Sequence, residues 1–134
     1  MALLVDTSVW SLLLRRDRPP AVPEVEALRS ALRGDESVVT TGVVILELLY
    51  GIVSESVAAE LAARLRVLPF LTPTFDDHVH AAELRTRLRS RGVQIGSADA
   101  LLVQLAIAGG HTLLTTDADF RHAAAHLPLR VWTP

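Results

Sequence analysis

Short apolar runs alternate along the chain with longer segments of helical periodicity. The first run, Ala2–Val5, ends at Asp6 and predicts a buried strand. Further strands are expected at residues 37–39, 112–116 and 129–132. Short apolar strands that alternate with helices predict an α/β fold, a three-layer α/β/α sandwich around a central, mainly parallel sheet.

Helices are expected between these strands, and residues that start or stop helices mark their ends. Thr7 and Ser8 are candidates to cap the first helix, Ser97 to cap the helix over residues 98–108, and Asp119 to cap the last. The expected ranges are 8–16, 23–33, 42–50, 54–67, 74–91, 98–108 and 120–125.

Composition limits the chemistry. The 134 residues, half of them hydrophobic, suit a single globular domain over residues 1–134. The absence of cysteine excludes disulfides, thiolate zinc sites and cysteine nucleophiles, and it is consistent with a reducing, cytoplasmic location. No secretory signal or membrane span is expected from the apolar segments. All 13 basic residues are arginine, so reactions that require a lysine are excluded.

The net charge of −2 hides an uneven distribution. Of the 15 acids, five are candidates for a single site: Asp6, Glu47, Asp99, Asp117 and Asp119. The rest of the chain then contains 13 arginines and ten acids. A mildly basic body around an acidic pocket attracts a polyanion when a metal ion neutralises the pocket.

Four acidic residues, Asp6, Glu47, Asp99 and Asp117, are the candidates for chemistry. Glu47 lies in a segment that is apolar on nearly every side, which predicts a buried helix, and a buried carboxylate needs a partner. That partner is either a metal ion or an arginine, and the segment alone favours neither. Asp6 and Asp117 follow strands, at the edge where parallel α/β sheets bind ligands.

Each acid also has a structural role available to it. Asp6 could cap a helix, Asp99 could interact with a helix dipole, and Asp117 could form a turn. Asp119 offers the cap of the last helix instead, which leaves Asp117 available for another role.

Four carboxylates brought together repel one another unless a cation lies among them. Oxygen ligands that retain water suit Mg²⁺ or Mn²⁺ better than zinc. Such an ion orients and deprotonates a water molecule and stabilises the charge that develops on a phosphate. The four acids therefore predict a metal site, with Glu47 or Asp117 contacting the water.

The segments around these acids are Val5-Asp6-Thr7-Ser8-Val9-Trp10, the embedded Glu47, Ser97-Ala98-Asp99-Ala100 and Leu114-Thr115-Thr116-Asp117-Ala118-Asp119-Phe120. In this order and spacing they resemble the motifs of PIN-domain proteins. The chain is most similar to the VapC toxins of bacterial type II toxin–antitoxin pairs. The resemblance covers the whole chain and leaves no remainder for a second domain.

The resemblance implies a PIN-like fold and a Mg²⁺- or Mn²⁺-dependent endoribonuclease that cuts tRNA, rRNA or mRNA as the toxin of such a pair. It also implies a homodimer and a small VapB-type antitoxin that wraps the toxin and places a basic side chain in the acidic pocket. By position, Asp6 and Asp99 match the principal metal ligands, and Glu47 and Asp117 match the two remaining acids.

Hydroxyl groups are also implied by the resemblance. Thr7 or Ser8, and Thr115, match positions that brace the site. Asp117 and Asp119 compete for the fourth acidic position. We favour Asp117 because it stands two residues after Thr115, directly at the strand end.

Arginine and histidine residues are secondary candidates. Arg15 and Arg16 follow the first strand–helix unit and are candidates for contacting RNA. His122 and His126 share a helix face without a third ligand and are interpreted as surface residues. Four arginines of the helix over residues 74–91 are interpreted as a solvated face: Arg85, Arg87, Arg89 and Arg91.

Two classes of doubly wound protein that place an aspartate after the first strand are excluded. A phosphatase of this kind carries a second acid two residues later, where this chain has Ser8, and a receiver domain needs a lysine. A non-catalytic PIN-like module that binds RNA or protein is the alternative, and the loss of one of the four acids would indicate it. A DNA substrate stays open, because no residue pattern reports on a 2′-hydroxyl.

Overall fold

The structure, a computed structural model, describes residues 2–14 and 21–134. Its five strands are β1 (Ala2–Val5), β2 (Ser37–Thr41), β3 (Phe70–Leu71), β4 (Thr112–Leu114) and β5 (Arg130–Val131). All neighbouring pairs are parallel, in the order β3-β2-β1-β4-β5. In the central strand, Leu3 lies opposite Val38 of β2 on one side and Thr112 of β4 on the other. The predicted α/β fold with a central parallel sheet is confirmed.

The helices in the described residues are α1 (Thr7–Leu13), α2 (Pro23–Ser30), α3 (Gly42–Tyr50), α4 (Glu55–Leu65), α5 (Phe75–Ser90), α6 (Ser97–Gly109) and α7 (Ala118–Ala124). A wider helical turn, Ala31–Asp35, continues α2 and contains Gly34, whose φ of 108° favours glycine. None of the helices in residues 2–14 and 21–134 has the length and apolar character needed to cross a bilayer.

The strand order decides where the helices lie. The chain proceeds from β1 to β2 and β3 in one direction, then crosses to β4 and continues to β5 in the other. Because crossovers between parallel strands are right-handed, the helices of the first two connections cover one face of the sheet and the later helices cover the other. This arrangement is the three-layer sandwich that the sequence predicted.

Three helices begin at residues other than the predicted caps. Asp6, Gly96 and Asp117 occupy the N-cap positions of α1, α6 and α7. The predicted caps are inside the first turn of each helix: Thr7 and Ser8, Ser97, and Asp119. In α1 the reason is that β1 ends directly before the helix, so Asp6 is the one residue left to take the extended N-cap conformation.

The core is formed by aliphatic side chains between the sheet and the two helical layers. Strand β1 is buried along its whole length, and Leu4 and Val5 of β1 and Leu113 and Leu114 of β4 are fully buried. Burial of these four side chains fixes the carboxyl ends of two adjacent strands. The residues that follow these strands are therefore held in a defined relative position.

Candidate functional site

Asp6 and Thr115 lie side by side because β1 and β4 are neighbours. The backbone N–H of Asp6 donates to the carbonyl oxygen of Leu114 over 2.9 Å. The hydroxyl of Thr115 donates to Oδ2 of Asp6, also over 2.9 Å. Both side chains are buried, with Asp6 6% exposed. The chain leaves β1 towards one side of the sheet and β4 towards the other, so this is the crevice where open α/β sheets bind ligands.

Ser8 provides a second hydroxyl to the same carboxylate oxygen. Its Oγ donates to Oδ2 of Asp6 over 2.8 Å and accepts the backbone N–H of Thr116 over 3.2 Å. Thr115 Oγ1 in turn accepts the backbone N–H of Asp117 over 3.0 Å. Oδ2 of Asp6 therefore has two donors, whereas its Oδ1 receives no hydrogen bond from the described residues.

Glu47 is exposed, so the prediction that its helix buries it is wrong. Helix α3 buries Val44 and Leu48, but Leu46 is 68% and Tyr50 is 90% exposed. The segment looked buried because its outer face is apolar as well as its inner one. The alternative partner, an arginine, is not seen for Glu47 in the described residues.

Glu47 instead forms a hydrogen bond with Thr7, the residue that follows Asp6. The hydroxyl of Thr7 donates to its Oε1 over 2.9 Å. Helix α3 packs against α1, the helix that follows Asp6. The bond to Thr7 therefore brings Glu47 to the same end of the sheet as Asp6. Thr7 therefore contacts Glu47, and Ser8, one residue on, contacts Asp6.

Asp117 is itself the cap of α7, so the prediction that Asp119 performs this role is wrong. Oδ1 of Asp117 accepts the backbone N–H of Asp119 over 2.9 Å. Asp117 is half-buried and Asp119 is exposed. Capping uses one oxygen of Asp117, and its Oδ2 receives no hydrogen bond from the described part of the chain.

Asp99 lies in the first turn of α6 and faces the other acids. The pKa of Asp99 is raised to about 6, first by burial of its carboxyl group and then by the negative charges of Asp6, Glu47, Asp117 and Asp119. No hydrogen bond from the described residues reaches its carboxylate. The other four acids of the predicted site thus all act electrostatically on Asp99.

These side chains have the donor chemistry of a site for a hard divalent cation. Carboxylate oxygens are the ligands that Mg²⁺ and Mn²⁺ prefer, and the mutual repulsion at Asp99 is what a cation relieves. In residues 2–14 and 21–134, however, no three acidic, histidine or cysteine side chains lie close enough together to hold an ion directly. An ion here would bind partly through water, or the carboxylates would move towards it.

Two sets of arginines were interpreted from the sequence, one after the first helix and one on α5. Arg15 and Arg16, the candidates for contacting RNA, lie outside the described residues. Arg85 is not a freely solvated member of the basic helix face. Its Nε donates to the carbonyl oxygen of Ile95 over 2.7 Å, and its Nη1 donates to Oγ of Ser97 over 3.1 Å. Arg85 thus holds the segment that leads into α6, the helix of Asp99, and no sequence pattern indicated this contact.

The model of the PIN domain family matches residues 3–126. The chain belongs to the PIN domain family. The match includes all four acids and both hydroxyl residues that contact Asp6. A comparison with curated proteins found no match for this PIN domain.

Several solved structures share the fold of this PIN domain. VapBC2 from Rickettsia felis, bound to a DNA fragment from their promoter, is similar with a TM-score of 0.77, 21% identity and 98% of both chains covered. FitAcB from Neisseria gonorrhoeae has a TM-score of 0.66 and 24% identity over 98% of this chain and 97% of its own. The sarcin–ricin-loop-cleaving toxin VapC20 from Mycobacterium tuberculosis has a TM-score of 0.70 and 22% identity over 96% and 99%.

Proposed function

We propose that this PIN domain is a Mg²⁺- or Mn²⁺-dependent endoribonuclease and the toxin of a type II toxin–antitoxin pair. Asp6, Glu47, Asp99 and Asp117 are its catalytic acids, and Asp6 and Asp99 are the metal ligands. The observation that carries the proposal is the placement of these acids at one end of the sheet, where Thr7 and Thr115 hold Glu47 and Asp6 and where burial and the charges of four other acids raise the pKa of Asp99. Such repulsion destabilises the protein unless a cation binds there, which is typical of a functional site. The RNA-cleaving activity stated for VapC20 supports RNA as the substrate.

The residues of the chain position charge around the reacting phosphate. Ser8 and Thr115 bond to Oδ2 of Asp6 and leave Oδ1 of this buried carboxylate for the ion. When bound, the ion supplies an activated water molecule and stabilises charge on the phosphate. Glu47 is held through Oε1 by Thr7, and its Oε2, which accepts no hydrogen bond from the described residues, would serve as a proton acceptor in the site.

Cleavage assays with the purified protein test this proposal. Single-stranded RNA and DNA of the same sequence would be incubated with Mg²⁺, with Mn²⁺ or with EDTA. We expect cleavage of RNA with either ion, none in EDTA, and a loss of at least about 100-fold in Asp6→Asn and Asp99→Asn. Asp76→Asn, which changes an exposed acid in the first turn of α5, is the matched control and should retain full activity.

The outcomes separate the candidate functions. Undiminished cleavage in EDTA would overturn the metal mechanism, and full activity of Asp99→Asn would overturn the assignment of the acids. Cleavage of the DNA but not of the RNA would overturn the assignment of the protein as a ribonuclease. Binding of RNA without cleavage under any condition would indicate the non-catalytic module instead.

An antitoxin partner is proposed for the cleft between α1, α3 and α4. The cleft has a volume of about 780 Å³, and its apolar walls include Leu14, Leu48, Ile52 and Val57. Glu47 lines the same cleft, so a segment that fills it reaches the acidic site. The R. felis VapBC2 structure and a toxin–antitoxin complex from Klebsiella pneumoniae are among the proteins of similar fold.

Co-expression with the product of the neighbouring gene tests this interface. We expect the two proteins to purify together, and Val57→Arg to abolish this because it places a charge in the apolar cleft. Val67→Arg, at an exposed valine outside the cleft lining, should leave the complex intact. Expression of the chain alone should arrest growth, and normal growth would contradict its role as a toxin.

A homodimer is proposed through an apolar strip on the outer face of α3. Gly42, Leu46 and Tyr50 follow one another at intervals of four residues and share this face. A Cβ atom on Gly42 would lie 3.8 Å from the ring of Phe70, which extends the strip to β3. Leu46, Tyr50 and Phe70 are all exposed.

The mass of the protein in solution tests the dimer. Light scattering after size-exclusion chromatography should give the mass of two chains for the unaltered protein and of one chain for Leu46→Arg. Val67→Arg again serves as the control, because Val67 is exposed but lies outside the strip. A monomeric unaltered protein would overturn the proposed dimer.

A further inference from the structure

A groove opens beside the acidic site, between the segment that joins α5 to α6 and the outer face of α7. Its volume is about 390 Å³, within the range of sites for small ligands. Gln94 lies in one wall, and Asp119, His122 and His126 lie in the other. Asp119 is also one of the acids whose charge acts on Asp99. The groove therefore begins within electrostatic reach of the site where we place the reacting phosphate.

The wall that contains Gln94 is fixed by hydrogen bonds rather than by packing alone. Arg85 binds the chain on the far side of Gln94, at Ile95 and Ser97. On the near side, Gly92 takes a left-handed φ of 80°, and the N–H of Val93 donates to the carbonyl oxygen of Leu88 over 2.9 Å. The backbone at Gln94 is therefore anchored on both sides, and none of these hydrogen bonds involves the side-chain amide of Gln94.

The amide of Gln94 is exposed and makes no hydrogen bond with the described residues. A glutamine amide offers one acceptor oxygen and two donor hydrogens, the set that reads the edge of a nucleobase. The anchored backbone fixes where the side chain of Gln94 starts, and its unbonded amide can turn towards an external partner in the groove.

The opposite wall presents two imidazole rings. Asp119, His122 and His126 stand at intervals of three and four residues, which places them on one face of α7 and of the turn that follows it. Both histidines are exposed. These three side chains do not form a metal site, because the described residues contain no cluster of three such groups close enough to hold an ion. Imidazole rings are instead surfaces on which unpaired bases stack.

We propose that this groove binds one unpaired nucleobase of the substrate RNA, next to the phosphodiester bond that is cut. His122 or His126 stacks on the face of the base, and Gln94 bonds to its edge. The groove thus selects the base beside the cleavage position. This inference rests on the proposed ribonuclease function.

The base preference at the cleavage position tests the groove. A pool of single-stranded RNA with random sequence would be cut by the unaltered protein, Gln94→Ala and His122→Ala/His126→Ala, and the new ends would be sequenced. We expect a preferred base beside the cut for the unaltered protein and the loss of that preference in Gln94→Ala. His80→Ala, which removes an exposed histidine of α5 outside the groove, should keep the preference.

RNA affinity provides a second measurement that does not depend on cleavage. In the Asp99→Asn background, fluorescence anisotropy with an oligoribonucleotide of the preferred sequence should show about tenfold weaker binding when both groove histidines are replaced by alanine. The His80→Ala change in the same background should leave the Kd unchanged. Thermal denaturation checks that all variants are folded.

The results distinguish the groove from the wider proposal. If the unaltered protein cuts RNA and the groove variants keep its base preference and affinity, the groove does not bind a base and the ribonuclease stands. If the unaltered protein neither binds nor cuts RNA, the proposed function fails and the groove with it.

Discussion

The hydroxyl of Thr115 donates a hydrogen bond of 2.9 Å to Oδ2 of Asp6, joining the carboxyl ends of two adjacent strands. The same oxygen of Thr115 accepts the N–H of Asp117, so one side chain connects two of the proposed catalytic acids. Thr115 is fully buried, and water cannot replace its hydroxyl.

Replacing Thr115 by valine should therefore lower both activity and stability. Valine has a similar shape but leaves Asp6 with one fewer donor and the N–H of Asp117 without an acceptor. We expect about 10- to 100-fold slower RNA cleavage and a loss of about 1–3 kcal/mol in the free energy of unfolding, measured with urea. Thr115→Ser keeps the hydroxyl and should retain most of the activity. Equal rates for the valine and serine variants would contradict this role.

Asp99→Asn should stabilise the protein when no metal ion is present. The folded-state pKa of about 6 lies above the usual 3.8, so the folded protein binds the proton more tightly than the unfolded chain does. The protonated carboxyl of Asp99 contributes its full stabilisation below about pH 4. This contribution to the free energy of unfolding is lost as the pH rises through about 6. At pH 7 the variant should gain on the order of 1 kcal/mol, because solvent screens this half-buried group.

Urea denaturation in EDTA measures this effect. The advantage of Asp99→Asn over the unaltered protein should shrink as the pH is lowered from 7 to 5, where Asp99 is mostly protonated. An advantage that stayed constant over this range would show that another group causes it.

Divalent cations should stabilise the protein more at pH 7.5 than at pH 5.5. Asp99 must lose its proton to bind a cation, and its raised pKa makes that loss incomplete at the lower pH. The shift in Tm with Mg²⁺ or Mn²⁺ provides the measurement. Asp99→Asn should remove most of the shift at both pH values, whereas Asp76→Asn should keep it. A shift of equal size at both pH values would contradict the involvement of Asp99.

Glu47→Gln should separate activity from stability. Its amide oxygen can still accept the hydrogen bond of Thr7, but the charge and the basic oxygen are lost. We expect RNA cleavage to fall at least about tenfold while the free energy of unfolding changes by less than about 0.5 kcal/mol, as is usual for an exposed side chain. Glu60→Gln on α4 alters another exposed glutamate and is the control. A stability loss without an activity loss would make Glu47 structural.

The sequence predicted the β-α alternation and the central strand well, because these depend on buried apolar runs. It did not predict β3, which has two residues and pairs at Thr40 and Thr41 of β2 after Pro69 ends the preceding segment. A strand of this length has no hydrophobic period of its own. It forms because β2 offers a free edge, which is a property of the assembled sheet.

The catalytic role of the four acids stays a prediction, and the detailed contacts around them did not follow from the sequence. The acids are brought together by the strand order, which the alternation of elements implies, whereas the exposure of Glu47 and the cap of α7 depend on packing. An apolar helix does not reveal how many of its faces the rest of the chain covers. The bonds of Arg85 to Ile95 and Ser97 span ten residues or more and follow no regular spacing.

Helix α3 combines several tasks within nine residues. Val44 and Leu48 face the core, Glu47 faces the acidic site and the cleft, and Leu46 and Tyr50 form the outer strip. In the proposed function, neighbouring residues of this helix thus serve folding, catalysis and association separately, and few positions are free to vary. A saturation mutagenesis screen would find α3 intolerant along its whole length, including at solvent-facing positions where a helix ordinarily accepts almost any residue.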